Sequence, residues 1–212
     1  MSNVLWAGDQ DGIEAAASAV AAGGVIGLPT DTVYGLACSA TSKEAVARLC
    51  EIKARPTTQP LILMAATKEE MDEFVSWPPG SSEFVHRFWP GPLTLIVRAR
   101  PKADLLGGRG SVGVRIPAHP VALLLLRQSG PLATSSANRH GEEPAIDARS
   151  ALIQLPGLNG ALADEESAPA VGAPSSILDL TRDQPVLIRE GRLSARELGV
   201  SASPQGPGIR RD

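Results

Sequence analysis

A chain of 212 residues, 43% hydrophobic and 20% charged, has the size and balance of one soluble domain; it buries about 70% of its unfolded surface and needs no staple. A net charge of −3 excludes a protein that coats nucleic acid through bulk charge, and 3% aromatic residues exclude an extended base-stacking platform. The opening residues show no charged segment followed by an apolar one, and the apolar runs are far too short to cross a bilayer, so the expected setting is the cytoplasm, with no membrane.

Asp11, with Glu14 three residues on, reads as the start of a first helix. Ile13, Ala16, Ala17, Val20 and Ala21 recur at helical spacing, and Gly23-Gly24 ends the run. Val25 to Leu28 reads as a strand, broken off by the polar run Thr30-Asp31-Thr32. Ser42 caps a second helix with Val46, Leu49 and Cys50 on one face, and Pro56 closes it. Leu61 to Ala65 is an apolar strand. Thr67 and Glu70 form a capping box that predicts a third helix through about Val75. Phe84, Val85, Phe88 and Trp89 mark a fourth helix, cut off by Pro90. Thr94 to Val97 and Val112 to Ile116 read as strands, Pro120 opens a helix that ends near Gly130, and Leu132 to Thr134 is a short strand. Asp147 caps another helix; strands are expected at 160–164, 176–180 and 185–189, and a short helix at 195–198. The alternation favours an open α/β or α+β sheet with helices packed on it. From Gly199 the chain is polar and rich in Ser, Pro and Gly, which predicts a partly flexible tail over 194–212 behind a body of 1–193.

Phosphate-loop, dinucleotide, metalloprotease and nucleophile-elbow signatures are absent. Cys38 and Cys50 form no C-x-x-C pair and read as buried thiols; His86 reads as solvated, His119 as the end of a loop, and His140 as a turn residue. Polar islands at strand ends remain. Lys53 lies on the apolar face of its helix, so either its stem snorkels or its ammonium enters a cleft. Pro56 takes Arg55 out of the helix, which lets the two cations converge on one anion. Gly113 and Arg115 share a strand face, either as a surface pair or with room above the glycine for something flat or anionic. Thr134-Ser135-Ser136-Ala137-Asn138, Ser175-Ser176 and Arg189 complete the set, and Gly107-Gly108-Arg109-Gly110-Ser111 either wraps an anion or forms a plain loop. Four cations and many hydroxyls, with no acid–base dyad and no covalent nucleophile, suit a site that positions anions, as in phosphoryl or nucleotidyl transfer.

In order, LPTDTVYGLAC, KARPTTQPLILM, WPGPLTLIV, VGVRIPAHP, TSSAN, PSSILDLT and VLIREG resemble the YrdC-type threonylcarbamoyl-AMP synthases over roughly residues 10–192. The resemblance implies the short, single-domain form, with a twisted, mixed α/β sheet and a large concave, positively lined cavity. It implies synthesis of threonylcarbamoyl-AMP and pyrophosphate from L-threonine, bicarbonate or CO2, and ATP with Mg2+, and a separate transferase complex that modifies tRNA. It places Thr32, Arg115, Thr134 and Ser175 around threonine, with Arg115 as carboxylate partner and Tyr34 as a wall. Lys53, Arg55, Gln59, Ser111, Ser136, Asn138 and Arg189 fall around ATP, with Lys53 and Arg55 as the catalytic cations whose removal depresses turnover more than folding. Met64 stands where many members carry His near the threonine. The alternative reading is a non-catalytic, YrdC-like RNA-binding module, against which the low aromatic content and negative charge weigh. The hydrogenase-maturation relatives carry acylphosphatase and zinc-finger modules that this sequence lacks. Direct contact with tRNA stays open.

Overall fold

The computed structural model describes residues 3–6, 10–164 and 172–201. Among these, eleven strands make one mixed sheet. They are β1 (Asn3–Trp6), β2 (Ile26–Leu28), β3 (Gly35–Ser39), β4 (Ile62–Met64), β5 (Val75–Ser76), β6 (Leu93–Ala99), β7 (Ser111–Arg115), β8 (Leu132–Ser136), β9 (Gly160–Ala163), β10 (Ser176–Asp179) and β11 (Val186–Arg189). The order across the sheet is β1-β9-β2-β3-β8-β4-β7-β6-β10-β11, with β5 added along β6. β2, β3, β8 and β4 pair antiparallel in succession, whereas β4 with β7 and β6 with β10 are parallel. The helices are α1 (Gln10–Ala21), α2 (Lys43–Lys53), α3 (Ser81–Phe88), α4 (Pro120–Ser129), α5 (Ala148–Gln154) and α6 (Ala195–Leu198).

Period-two alternation divides the core between the two faces. Ile26, Leu28, Ala37 and Leu132 meet the apolar stripes of α1 and α4: Ile13, Ala16 and Val20 from one, Val121, Leu125 and Leu126 from the other. Leu36, Cys38, Leu63, Val114 and Ala133 turn to the opposite face, against Ala45, Val46 and Leu49 of α2 and Ala148 and Ala151 of α5. Both cysteines are buried free thiols. With so few aromatics, it is aliphatic packing from both sides that holds the sheet.

Local signals set the helix ends. The Ser42 hydroxyl accepts the Ala45 N–H at 3.1 Å, and Asp147 and Ser150 form a reciprocal capping box. α2 ends at Ala54, a non-glycine residue in the left-handed region (φ 54°), so the chain reverses sharply between Lys53 and Arg55.

The third helix expected over 67–75 does not form. Glu70 N–H does donate to Thr67 Oγ1 at 3.4 Å, but only a 3-10 turn, Glu69–Met71, follows. Val75 then pairs with Ala99 in the sheet, and Met71, Phe74 and Val75 are buried by that packing; sheet pairing overrides helical propensity here. β1 and β3 were not foreseen. The helix over 195–198 does form, and Leu198 is buried in the main core, which ties the first part of the expected tail to the body; residues 202–212 of that tail lie outside the described residues.

Candidate active site

Strand register builds the floor of the site. Ala37, Thr134, Ile62 and Gly113 align across four neighbouring strands; two residues along in one direction stand Gly35 and Ser136, and in the other Met64 and Arg115. Ser136 and Arg115 therefore mark rows about 14 Å apart along the strands, from four residues of rise at ~3.4 Å each. Above this floor lies a cavity of about 390 Å3, lined among others by Thr32, Met64, Arg115, Thr134, Ser136, Ser175 and Arg189. It is large enough for a small organic ligand.

At one end Arg115 is 2% exposed and tightly held. Its Nε donates to Gly91 O at 3.0 Å, Nη1 to Thr32 Oγ1 at 2.8 Å, and Nη2 to Asp31 Oδ1 at 2.6 Å. Burial pulls the guanidinium pKa down, and the Asp31 carboxylate opposes that shift. Of the two arrangements left open for Gly113 and Arg115, the surface pair does not hold, because Arg115 is buried. Gly113 is part-exposed, and a Cβ there would come within 3.1 Å of Thr94 Cγ2 and 3.6 Å of Ile62 Cγ1 on the strands to either side, so the glycine keeps the floor low at this point. Ser175 shares a 2.9 Å hydroxyl–hydroxyl bond with Thr94, and its carbonyl accepts Arg189 Nε at 3.1 Å and Nη2 at 2.9 Å. The Arg189 pKa is lowered by burial and then by Arg115. Thr134 Oγ1 donates to Ile62 O at 3.0 Å.

At the other end Lys53 does not snorkel. It is 4% exposed, and its Nζ donates to Ser136 O at 2.6 Å, Asn138 Oδ1 at 2.8 Å, Asn138 O at 3.0 Å and Ser136 Oγ at 3.2 Å. Burial, and then Arg55, lower its pKa to about 8. Asn138 is committed further, donating from Nδ2 to Arg139 O and Glu142 O. Arg55 reaches Ser135 Oγ at 3.2 Å and Pro60 O at 3.1 Å, while its buried Nε has no partner. Gln59 is half-buried in the turn after Pro56, its N–H donating to Pro56 O, and Ser111 Oγ donates to Gly108 O at 3.2 Å. Gly107 lies against the Thr57 and Gln59 carbonyls, so the glycine-rich loop and the Gln59 turn form one rim. Gln59, Ser111, Lys53, Arg55 and Asn138 stand behind or beside the cavity lining; Thr32, Arg115, Thr134, Ser136, Ser175 and Arg189 stand in it.

Three residues escaped the sequence reading or were misread. Asp31 stood in the polar run with no role assigned to it, and it grips Arg115. His119 does end the loop before α4, as read, but its burial escaped the sequence: it is 5% exposed, its Nδ1 is buried without a partner among the described residues, its Nε2 is 3.9 Å from Asp164 Oδ2, and burial lowers its pKa. Tyr34 does not wall this cavity. It donates to Leu162 O at 2.6 Å and lines a neighbouring cavity of about 360 Å3 that also touches Thr30. The sequence holds no signal that pairs Asp31 with a residue 84 positions away.

A protein-family model for Sua5, YciO and YrdC, described as "Telomere recombination", matches residues 18–191, and the chain belongs to that family. It is 39% identical over 199 residues to a candidate threonylcarbamoyl-AMP synthase of Mycobacterium tuberculosis, spanning 91% of each chain. It is 36% identical to a threonylcarbamoyl-AMP synthase of Pyrococcus abyssi, covering 88% of this chain and 56% of that one. The crystal structure of P. abyssi Sua5 complexed with L-threonine superposes with a TM-score of 0.84 at 34% identity, over 93% of this chain and 59% of that one. The architecture is the mixed, twisted open sheet with helices of this family, and among the described residues no helix is long and apolar enough to cross a membrane.

Proposed function

We propose that the chain is an L-threonylcarbamoyladenylate synthase, a nucleotidyltransferase that uses L-threonine, bicarbonate or CO2, and ATP. The observation that carries this reading is the two-ended cavity: a buried, restrained guanidinium at Arg115 beside the hydroxyls of Thr32, Thr134 and Ser175, and cations that have no carboxylate partner among the described residues toward the other end and along the wall. Arg115 takes the amino-acid carboxylate. Arg55 and Arg189 neutralise the phosphates, and Lys53 holds Ser136 and Asn138 in place beside them. Gln59 and Ser111 complete the nucleotide rim.

The threonine amine reacts with CO2 to give a carbamate and a proton. A carbamate oxygen attacks the α-phosphorus of ATP, a new P–O bond forms, and the bond to pyrophosphate breaks. The carbamate falls apart in water, so an enclosed cavity favours the adenylation. Mg2+ bound with ATP would supply charge neutralisation on the leaving pyrophosphate. The Glu143 carboxylate and the Ser135 and Ser136 hydroxyls at the cavity are hard oxygen donors of the kind Mg2+ takes. Among the described residues no cluster of three or more His, Cys, Asp or Glu could hold a metal ion. Residues 1–193 form the catalytic unit. The product passes in the cytoplasm to a separate transferase complex that modifies tRNA, with the tRNA contact made there or on this chain.

The test is to incubate the protein with ATP, Mg2+, bicarbonate and each of several amino acids, then to measure pyrophosphate and look for the adenylate by mass spectrometry. Threonine-dependent pyrophosphate together with the threonylcarbamoyl adenylate is expected; pyrophosphate release indifferent to the amino acid overturns the reading.

A further inference from the structure

We propose that Asp31 is a positioning residue that turns Arg115 into a carboxylate-selective fork and keeps phosphate out of the amino-acid end of the cavity; this role rests on the function proposed above. A guanidinium has five N–H donors. In Arg115 one is spent on Gly91 O, one on Thr32 Oγ1 and one on Asp31 Oδ1, which leaves one on each terminal nitrogen. Two N–H groups on adjacent nitrogens match the two oxygens of a carboxylate. Asp31 is itself fixed, because its Oδ1 also accepts the Ala118 N–H at 3.1 Å. Carboxylate, guanidinium and the chain just after β7 thus lock one another.

Charge gives Asp31 its second effect. Among the described residues Lys53, Arg55 and Arg189 have no ion-pair partner, whereas Arg115 is paired. Arg115 is buried, and left unpaired beside Arg189 it would attract any multivalent anion. Asp31 cancels that charge, so Arg115 recognises by hydrogen-bond geometry and the triphosphate is drawn to the unpaired cations.

The experiment compares the wild-type chain with Asp31→Asn and Asp31→Ala. L-Threonine binding is titrated by calorimetry, inorganic phosphate is tested as a competitor of threonine, and steady-state KM is measured for threonine and for ATP. Asp31→Asn keeps an oxygen at the Oδ1 position and removes the charge, so phosphate should compete with threonine about tenfold more tightly than in the wild type. Asp31→Ala should also raise the threonine KM about fiftyfold while the ATP KM stays within about twofold, because the fork loses its anchor. A melting temperature of Asp31→Asn close to that of the wild type excludes a merely structural cause, and that variant decides alone if Asp31→Ala fails to fold. Unchanged threonine affinity and phosphate competition in the variants overturn the proposal, as does an ATP KM that rises in step with that for threonine. A wild-type chain that neither binds threonine nor releases pyrophosphate with it fails before any variant is compared, and overturns the functional reading and this role together.

Discussion

The Lys53 ammonium and the Ser136 carbonyl oxygen stand 2.6 Å apart, the shortest of the four bonds that bind the end of α2 to the end of β8. A cation so placed joins two elements before it meets any ligand. Lys53→Ala strands the Asn138 carbonyl and amide oxygens, while Ser136 O keeps the Asn138 N–H, and should cost about 2–3 kcal/mol of stability as well as activity. Arg55 is half-buried with weaker partners, so Arg55→Ala should lower kcat/KM at least about a hundredfold for about 1 kcal/mol or less of stability. Urea unfolding beside pyrophosphate release separates the two. The expectation that either removal depresses turnover more than folding stands for both, with the larger stability cost placed at Lys53.

A pH dependence follows from the same lysine. Its folded pKa is lowered from 10.5 to about 8. Below about pH 8 both folded and unfolded chains hold the proton, and the folded state bears the cost of a buried charge. Between about 8 and 10.5 the unfolded chain binds more protons, so this group's contribution to stability rises with pH. Turnover moves the opposite way, because the neutral amine has lost a donor and its charge. Wild-type kcat/KM should fall above about pH 8, while urea midpoints gain relative to Lys53→Arg, whose guanidinium stays charged.

Ala54 occupies the left-handed region at φ 54°. Glycine adopts that geometry without a Cβ clash, so Ala54→Gly should stabilise the chain by about 0.5–1 kcal/mol. A rise in melting temperature with unchanged pyrophosphate release is the expected result.

Gly191 faces the opposite constraint. A Cβ there would lie 2.3 Å from Pro174 O and 2.7 Å from the Ser175 carbonyl oxygen, the same oxygen that holds Arg189. Gly191→Ala must move Ser175 and Arg189 together. Turnover should drop at least about tenfold, with a stability loss of about 1–3 kcal/mol, checked by steady-state kinetics and thermal melts.

Local chemistry was legible in the sequence and remote pairing was not. Ser42, Pro120 and Asp147 mark helix starts because a cap is settled within one turn. β3 was lost because Leu36 and Cys38 serve one core and Ala37 the other, so the strand shows no polar alternation. The capping signal at Thr67 was real, but the chain after it was claimed by β6. Spacing alone left Lys53 undecided between solvent and cleft, since its acceptors lie more than 80 positions away. The family resemblance grouped the cavity residues; it gave Asp31 no role and placed Tyr34 at the wrong wall.

The cavity draws on positions from Leu28 to Arg189, contributed by interior strands and by a hairpin at the sheet margin. Ligand affinity is therefore a late acquisition of the chain: a nascent polypeptide stopped short of β11 has most of the lining and lacks Arg189, the one cavity residue that holds the Ser175 carbonyl. Separately expressed halves, split within the exposed turn near Gly141, should each lack threonine affinity and recover it only on reassembly.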